Sequence, residues 1–241
     1  MSTILITGAS GGIGLAIAKK FAKNKNNLVL ICNKNKKIIE NNKNLFKNCN
    51  LEIFQCDLTE TEQIKALVSK IIKKHKKIDC LINCAGISKS QLVQDITEND
   101  YYHMMDTNFK STVMLTSLVS KHMISEKYGK IVNISSMWGT VGASMESLYS
   151  ASKGAMNAFT LSLAKELGPS NINVNAVCPG LIDTKMNENL SKDDKHEIIN
   201  STPLMRIGKP EDVANLVEFL CDEKASFITG QIITIDGGLT L

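Results

Sequence analysis

The chain has 241 residues, of which 43% are hydrophobic and 22% are charged, and its formal net charge is +4. This size and balance are typical of a globular protein with a substantial core rather than a low-complexity chain. The positive charge is modest and scattered, so we expect no nucleic-acid partner, and the apolar runs are too short to span a membrane.

The cysteines and histidines bear on the cellular compartment and on metal binding. The seven cysteines are scattered and form no Cys-x-x-Cys pair. An odd, scattered set favours reduced thiols and therefore a cytoplasmic location. The four histidines lie far apart, so no metal site is predicted.

Short apolar segments alternate with longer amphipathic segments along the chain. Strands are predicted at residues 4–6, 28–32, 51–56, 78–82, 130–134, 172–177 and 231–235. Helices are predicted from the first glycine turn to about residue 23, at 60–74, 101–125 and 211–221, and in a segment ending near 167. This alternation is typical of parallel strands joined by crossover helices.

The predicted fold is therefore α/β: a single Rossmann-type domain over residues 1–241, with a doubly wound parallel sheet of about seven strands flanked by helices. The polar segment at about 181–206 is a candidate substrate lid. A passive surface excursion is the alternative.

A glycine-rich turn, residues 7–14, follows the first strand and opens the first helix. Gly8 permits a tight turn, while Gly12 and Gly14 let the backbone approach a pyrophosphate that the helix N-terminus attracts. A glycine-rich turn can also be purely structural and bind no ligand. Its place between a strand and a helix favours a dinucleotide site.

The end of the second strand bears on which dinucleotide binds. NAD sites usually place a carboxylate there, but this sequence reads Asn33-Lys34-Asn35, and its next acidic residue is Glu40. Lys34 could meet a 2′-phosphate, although it could also be one more solvated lysine. The sequence favours NADP(H).

Tyr149 and Lys153 are spaced to lie on one helical face. A nearby positive charge favours phenolate, so the pair could transfer a proton. The same spacing occurs by chance in helices where the tyrosine packs and the lysine is solvated. Ser135 and Ser136 close a predicted strand upstream, where a hydroxyl could bind a carbonyl or alcohol oxygen.

These motifs together resemble the short-chain dehydrogenase/reductase family across nearly the whole chain. The matching landmarks are Thr7, Gly8, Gly12, Gly14, Asp57, Asn83 to Gly86, Asn108, Ser136, Tyr149, Lys153, Pro179 and Gly180. Cys84 departs from the family's usual asparagine. Gly11 stands where many NADP-specific relatives have arginine, which leaves more of the phosphate contact to Lys34.

The resemblance implies four catalytic residues. Tyr149 would transfer the proton, and Lys153 would lower the pKa of Tyr149 and bind the nicotinamide ribose. Ser136, rather than Ser135, would hold the substrate oxygen. Asn108 would support a water-linked proton relay.

Cofactor contacts are expected along the glycine turn, at the ends of several strands and at the catalytic pair. The residues assigned to them are Gly8, Ser10, Gly11, Gly12, Ile13, Gly14, Asn33, Lys34, Asp57, Leu58, Asn83, Ala85, Gly86, Tyr149, Lys153, Pro179, Gly180, Ile182 and Thr184.

The resemblance also implies a substrate and an assembly. Residues 175–180, 182–184, 208–214 and 228–238 are similar to bacterial 3-oxoacyl-[acyl-carrier-protein] reductases, whereas residues 136–144 are more similar to a branch that reduces a 5-aminopentanone-type ketone on elongation factor P. NADPH-dependent reduction of a 3-oxoacyl group on acyl carrier protein, in fatty acid synthesis, is the first expectation. The elongation-factor substrate and a catalytically silent cofactor-binding regulator are alternatives. A homotetramer built through the helices after the fourth and fifth strands is also implied.

Overall fold

In the computed structural model, which describes residues 1–188 and 190–241, seven parallel strands form one sheet in the order β3-β2-β1-β4-β5-β6-β7. The strands are β1 Thr3–Ile6, β2 Asn27–Cys32, β3 Asn50–Gln55, β4 Cys80–Asn83, β5 Gly129–Ile134, β6 Ile172–Pro179 and β7 Ile232–Ile235. The strand order reverses between β1 and β4, where such sheets open a binding crevice. The predicted doubly wound α/β fold is confirmed.

Helices cover both faces of the sheet. They are α1 Gly12–Phe21, α2 Lys36–Asn41, α3 Thr61–His75, α4 Glu98–Met105, α5 Ser111–Glu126, α6 Trp138–Val141, α7 Ser147–Leu167, α8 Lys192–Ser201 and α9 Pro210–Cys221. Helices α1, α2 and α9 contribute apolar side chains to one core, and α3, α5 and α7 contribute to the other. Strands buried on both sides explain the continuous apolar runs in the sequence.

The helical region predicted at 101–125 is interrupted. Helix α4 ends at Met105, a π-helical turn covers Asp106–Lys110, and α5 then begins at Ser111. Thr97 and Asp100 form a capping box that starts α4 at residue 98, before the predicted start. The apolar spacing indicated a helix but carried no sign of the wider turn.

The polar segment at about 181–206 leaves β6 and leads towards α9. Part of it, Asn189, lies outside the described residues. Ile182 and Gly208 form an isolated parallel bridge that closes the base of the segment. All ten residues of α8 are exposed or half-exposed, so this helix adds little to either core. Within the described part of the chain, every helix falls short of the length and apolarity that a bilayer crossing requires.

Candidate active site

The glycine turn joins the carboxyl ends of β1, β2 and β4. Gly8 has a φ of +63°, and a Cβ at this position would lie 2.8 Å from Ala85 Cα. Thr7 Oγ1 accepts hydrogen bonds from the backbone N–H groups of Cys84 at 2.9 Å and Ala85 at 3.1 Å. The turn is thus fixed against the segment after β4, and α1 begins directly beyond it.

The start of α1 has the shape that a pyrophosphate requires. Extended Gly11 precedes the helix and has no side chain to cap its first N–H groups. A Cβ on Gly12 would lie 2.8 Å from Thr184 Cγ2, so the segment after β6 approaches the turn closely. Free N–H groups beside a narrow cradle without side chains fit a dinucleotide phosphate.

The ends of β2 and β3 bring together the residues predicted for the adenosine side. Asn33 and Lys34 are exposed. Asp57 Oδ1 accepts hydrogen bonds from the Thr59 backbone at 3.0 Å and from its hydroxyl at 2.8 Å. These bonds, helped by a hydrogen bond from Asn33 and the charge of Lys34, lower the pKa of Asp57. Asn33, Lys34 and Asp57 therefore lie together at the carboxyl ends of β2 and β3.

The side chain of Asn83 lies within the sheet rather than at its edge. Its Nδ2 donates to Asn133 Oδ1 at 2.9 Å and to Thr116 Oγ1 at 3.1 Å, and Asn133 donates in turn to Thr160. This buried chain of polar groups joins α5 and α7 through β4 and β5. Any cofactor contact at Asn83 would have to come from its backbone.

Tyr149 and Lys153 lie one turn apart on α7, as predicted. Lys153 is only 4% exposed, and its Nζ donates to the carbonyl of Ile134 at 2.9 Å. The same Nζ lies 5.7 Å from the centroid of the Tyr149 ring. The alternative of a solvated lysine beside a packed tyrosine is therefore wrong for this helix.

The expected lowering of the tyrosine pKa is wrong for this arrangement. Burial raises the pKa of Tyr149 to about 12, opposed by hydrogen bonding with Ser136 and reinforced by the Glu146 carboxylate. Burial also disfavours the charge of Lys153 and lowers its pKa to about 8. Near neutral pH, Tyr149 is a phenol with a proton to donate.

The two serines after β5 point in different directions. Ser135 Oγ donates to the backbone carbonyl of Lys153 at 3.1 Å, which fixes β5 against α7. Ser136 Oγ accepts from the backbone N–H of Trp138 at 3.2 Å and also interacts with Tyr149. The structure thus places Ser136 beside the tyrosine, in line with the choice between the two made from the resemblance.

Asn108 occupies the π-helical turn and is fully buried. Its amide spans the backbone of Ile87, accepting from the N–H at 2.8 Å and donating to the carbonyl at 2.9 Å. A Cβ on Gly86 would lie 3.4 Å from both Asn108 Oδ1 and Lys153 Nζ. Asn108 and Lys153 therefore meet at Gly86. Single wide turns of this kind are frequent at functional sites.

Two further residues join this cluster without a signal in the sequence analysis. Ser152 Oγ accepts from Asn108 Nδ2 at 3.0 Å and donates to the carbonyl of Tyr149 at 2.7 Å. The Glu146 carboxylate accepts hydrogen bonds from Ser88 and Ser90. Glu146 lies three residues before Tyr149, so helical spacing could have suggested it.

The remaining predicted residues surround the same crevice. Gly180 follows β6, and its N–H donates to the carbonyl of Ile235 at 3.0 Å. Met137, beside Ser136, donates to the carbonyl of Pro179 at 3.0 Å. Ile182 is buried and Thr184 faces Gly12. The turn after β6 is thereby brought over both the glycine turn and the serine.

A parallel sheet with a phosphate cradle and a tyrosine–lysine pair at one edge defines a class of nucleotide-dependent oxidoreductases. A family model described as enoyl-(acyl carrier protein) reductase matches residues 8–240. The chain belongs to the short-chain dehydrogenase/reductase family, whose members use NAD(P).

Similar proteins span nearly the same length. The oxidoreductase YmfI of Bacillus subtilis (strain 168) is 41% identical over 240 residues, 98% of each chain. The 3-oxoacyl-[acyl-carrier-protein] reductase FabG of Thermotoga maritima is 38% identical over 242 residues, covering 98% of this chain and 97% of its own. The solved structure of ElxO with NADP bound is 33% identical, with a TM-score of 0.91 and coverage of 99% and 98%.

Proposed function

We propose that this protein reduces a ketone to a secondary alcohol with NADPH. The observation that carries the proposal is the meeting of Tyr149, Lys153 and Asn108 at one sheet edge, beside a phosphate cradle, with Tyr149 still protonated. A general acid must hold its proton at the working pH before it can donate it. A phenol in this state suits the reductive direction.

Each side chain has a task in this reaction. The bound cofactor would supply the hydride to the carbonyl carbon. Tyr149 gives its proton to the carbonyl oxygen, and the Ser136 hydroxyl donates to the same oxygen as negative charge develops. Lys153 carries its charge below about pH 8 and lies close to the phenol ring. Asn108 holds the backbone after Gly86 in place through Ile87.

Replacement of Tyr149 by phenylalanine tests the mechanism. Tyr149→Phe removes the proton donor but keeps the ring, so ketone reduction should fall by at least about a hundredfold while NADPH still binds. Its rate and NADPH affinity are measured beside the parent protein. ElxO supports the binding expectation, since a tyrosine-to-phenylalanine variant was solved with NADPH bound.

The outcomes of that experiment separate the alternatives. Retained turnover in Tyr149→Phe would exclude the proton-donor role. Absence of turnover in the parent protein across a broad ketone panel, with NADPH bound, would instead support a cofactor-binding regulator.

A 3-oxoacyl group on acyl carrier protein is the first substrate candidate. It is supported by several relatives named as 3-oxoacyl-[acyl-carrier-protein] reductases, including that of Chlamydia pneumoniae at 37% identity. The aminopentanone-type ketone on elongation factor P is the second, supported by the sequence of residues 136–144. Rates of NADPH oxidation with acetoacetyl thioesters, free ketones and the keto-modified factor distinguish the two.

NADPH is proposed over NADH because the end of β2 offers Lys34 rather than a carboxylate. Lys34 and Asn33 are exposed beside Asp57, where a ribose 2′-phosphate would meet a positive charge. Lysine binds such a group as a point charge. The NADP-bound structure of ElxO supports the same choice.

We also propose that residues 1–241 form one domain that assembles into a homotetramer in the cytoplasm. Exposed apolar side chains on α4, α5 and α7 support the assembly: Tyr101, Tyr102, Ile124 and Leu161. Seven free cysteines support a reducing compartment. The segment at about 181–206, whose helix α8 has only exposed or half-exposed residues, is proposed as the substrate lid.

A further inference from the structure

The segment after Gly86 forms part of the catalytic edge. Asn108 holds both backbone groups of Ile87. Four residues further on, the backbone N–H of Gln91 donates to the carbonyl of Met145 at 2.8 Å. The segment Ile87–Gln91 therefore runs between the π-helical turn and the start of α7, next to Tyr149.

Glu146 makes the central connection to this segment. Ser90 Oγ donates to Glu146 Oε1 at 2.5 Å, and Ser88 Oγ donates to Oε2 at 3.2 Å. The nearby Lys89 does not use this carboxylate, since its Nζ pairs with Asp100 Oδ1 at 2.5 Å. A half-buried carboxylate thus meets hydroxyls, which orient it but leave its negative charge in place.

The backbone conformation around Glu146 directs its carboxylate towards the hydroxyls of Ser88 and Ser90. Met145 has a φ of +61°, a left-handed conformation that is strained for a non-glycine residue. Its carbonyl receives the Gln91 bond, and the carbonyl of Glu146 accepts from the N–H of Ser150 at 2.7 Å. Glu146 therefore precedes the first turn of α7 in a fixed orientation, with Tyr149 one turn ahead.

The titratable groups facing Tyr149 come from three parts of the chain. Glu146 immediately precedes α7 and Lys153 lies on it, Cys84 follows β4, and Cys178 lies on β6. Burial holds the pKa of the Cys84 thiol at about 12 and also raises that of Cys178. Both thiols are therefore neutral at working pH, and the carboxylate in this set is that of Glu146.

We propose that Glu146 is a positioning residue of this active site: its carboxylate fixes Ile87–Gln91 as a wall of the substrate cleft, and its charge, one helical turn before Tyr149, disfavours ionisation of the phenol. The inference rests on the proposed ketone reduction. Because a like charge disfavours phenolate, the acid form of Tyr149 persists to higher pH in the presence of Glu146. The two tasks are separable. The hydrogen bonds from Ser88 and Ser90 to Glu146, which we call the tether, need acceptor oxygens at residue 146, whereas the electrostatic effect on Tyr149 needs a negative charge there.

Three variants separate the tasks. Glu146→Gln keeps an acceptor oxygen but removes the charge, so the pH midpoint at which the Tyr149 phenol ionises should move down by about half a unit or more, with KM within about twofold. A Ser88→Ala/Ser90→Ala variant keeps the charge and loses the tether, so KM should rise roughly fivefold at an unchanged pH midpoint. Glu146→Ala should show both effects. Glu126→Gln, an exposed carboxylate at the end of α5, is the matched control and should show neither.

A titration without substrate separates this inference from the proposed function. The chain has four tyrosines, so subtracting the phenolate absorbance of Tyr149→Phe from that of the parent isolates the Tyr149 signal. That signal should titrate at lower pH in Glu146→Gln, whether or not a ketone substrate is turned over. An unmoved titration in Glu146→Gln would overturn the electrostatic role. An unchanged KM in the double serine variant would overturn the tether.

Discussion

Ser152 shows how a single buried hydroxyl can connect the parts of the site. It receives a hydrogen bond from Asn108 and gives one to the backbone of Tyr149. Asn108 also donates to Met104 Sδ and Ile87 O, but only Ser152 among its side-chain partners belongs to α7. Ser152 therefore couples the π-helical turn to the helix that carries Tyr149 and Lys153.

Ser152→Ala should lower kcat for ketone reduction by up to about tenfold, the equivalent of about 1.4 kcal/mol. The reason is a loss of orientation in Asn108, so affinity for NADPH should stay the same. Steady-state kinetics and NADPH titration measure both quantities. Ser162→Ala removes an exposed hydroxyl from the same helix, where Ser162 donates to Ala158 O, and should change neither. Equal kcat values for the two variants would contradict the proposed coupling.

Some residues of the site could be predicted from the sequence, and others could be recognised only from the packing of the structure. The glycine turn and the Tyr149–Lys153 pair follow from local spacing, and the structure places them as predicted. The direction of the Tyr149 pKa shift did not follow, because it depends on burial by elements distant in the chain. Ser152 and Glu146 are ordinary in sequence, and only the packing of α7 against the segment after β4 gives them partners.

At the scale of elements, strand positions were predictable because the five inner strands of the sheet are buried on both faces, whereas the edge strands β3 and β7 are only partly buried. All four residues of β1 and all six of β5 are buried, so both read as continuous apolar or sheet-compatible runs. Helix ends were harder to predict, because caps and turns depend on single residues. Lys127 ends α5 in the left-handed conformation, with φ 49° and ψ 39°, where glycine would be less strained.

Lys127→Gly should therefore raise the free energy of unfolding by about 1 kcal/mol, since glycine adopts this conformation without a Cβ penalty. Urea denaturation measures the change. Lys121→Gly places the same substitution at an exposed position inside α5 and should instead lower stability by about 1 kcal/mol. Destabilisation by both variants would show that Lys127 makes contacts that outweigh its strain.

At the scale of the whole molecule, the phosphate cradle connects distant parts of the chain. The backbone N–H of Ala9 donates to Ile31 O on β2, Thr7 holds the segment after β4, and Thr184 after β6 packs against Gly12. A ligand in this cradle binds only when all of these parts are assembled. Ligand binding should therefore stabilise the entire fold, by about 2.7 kcal/mol at a hundred times the dissociation constant.

This linkage gives a test of cofactor preference. NADPH should raise the thermal unfolding midpoint more than NADH at equal concentration, because Lys34 is proposed to meet the extra phosphate. Lys34→Ala should remove that difference, whereas Lys37→Ala, an exposed lysine on α2, should preserve it. Thermal unfolding with each cofactor provides the comparison. Equal midpoints with NADPH and NADH in the parent protein would contradict the preference.

The π-helical turn at Asp106–Lys110 has a consequence for how this chain can vary. Each residue advances a helix by about 100°, so an extra residue rotates everything that follows it. Here the rotation lets Asn108 face the catalytic edge while Leu115, Val119 and Met123 still face the core. Deleting one residue from this turn would restore a regular helix and misdirect one of these two faces. In this stretch the number of residues is thus constrained as tightly as the identity of Asn108, and related chains should tolerate substitutions at the positions beside Asn108 but not a change in length.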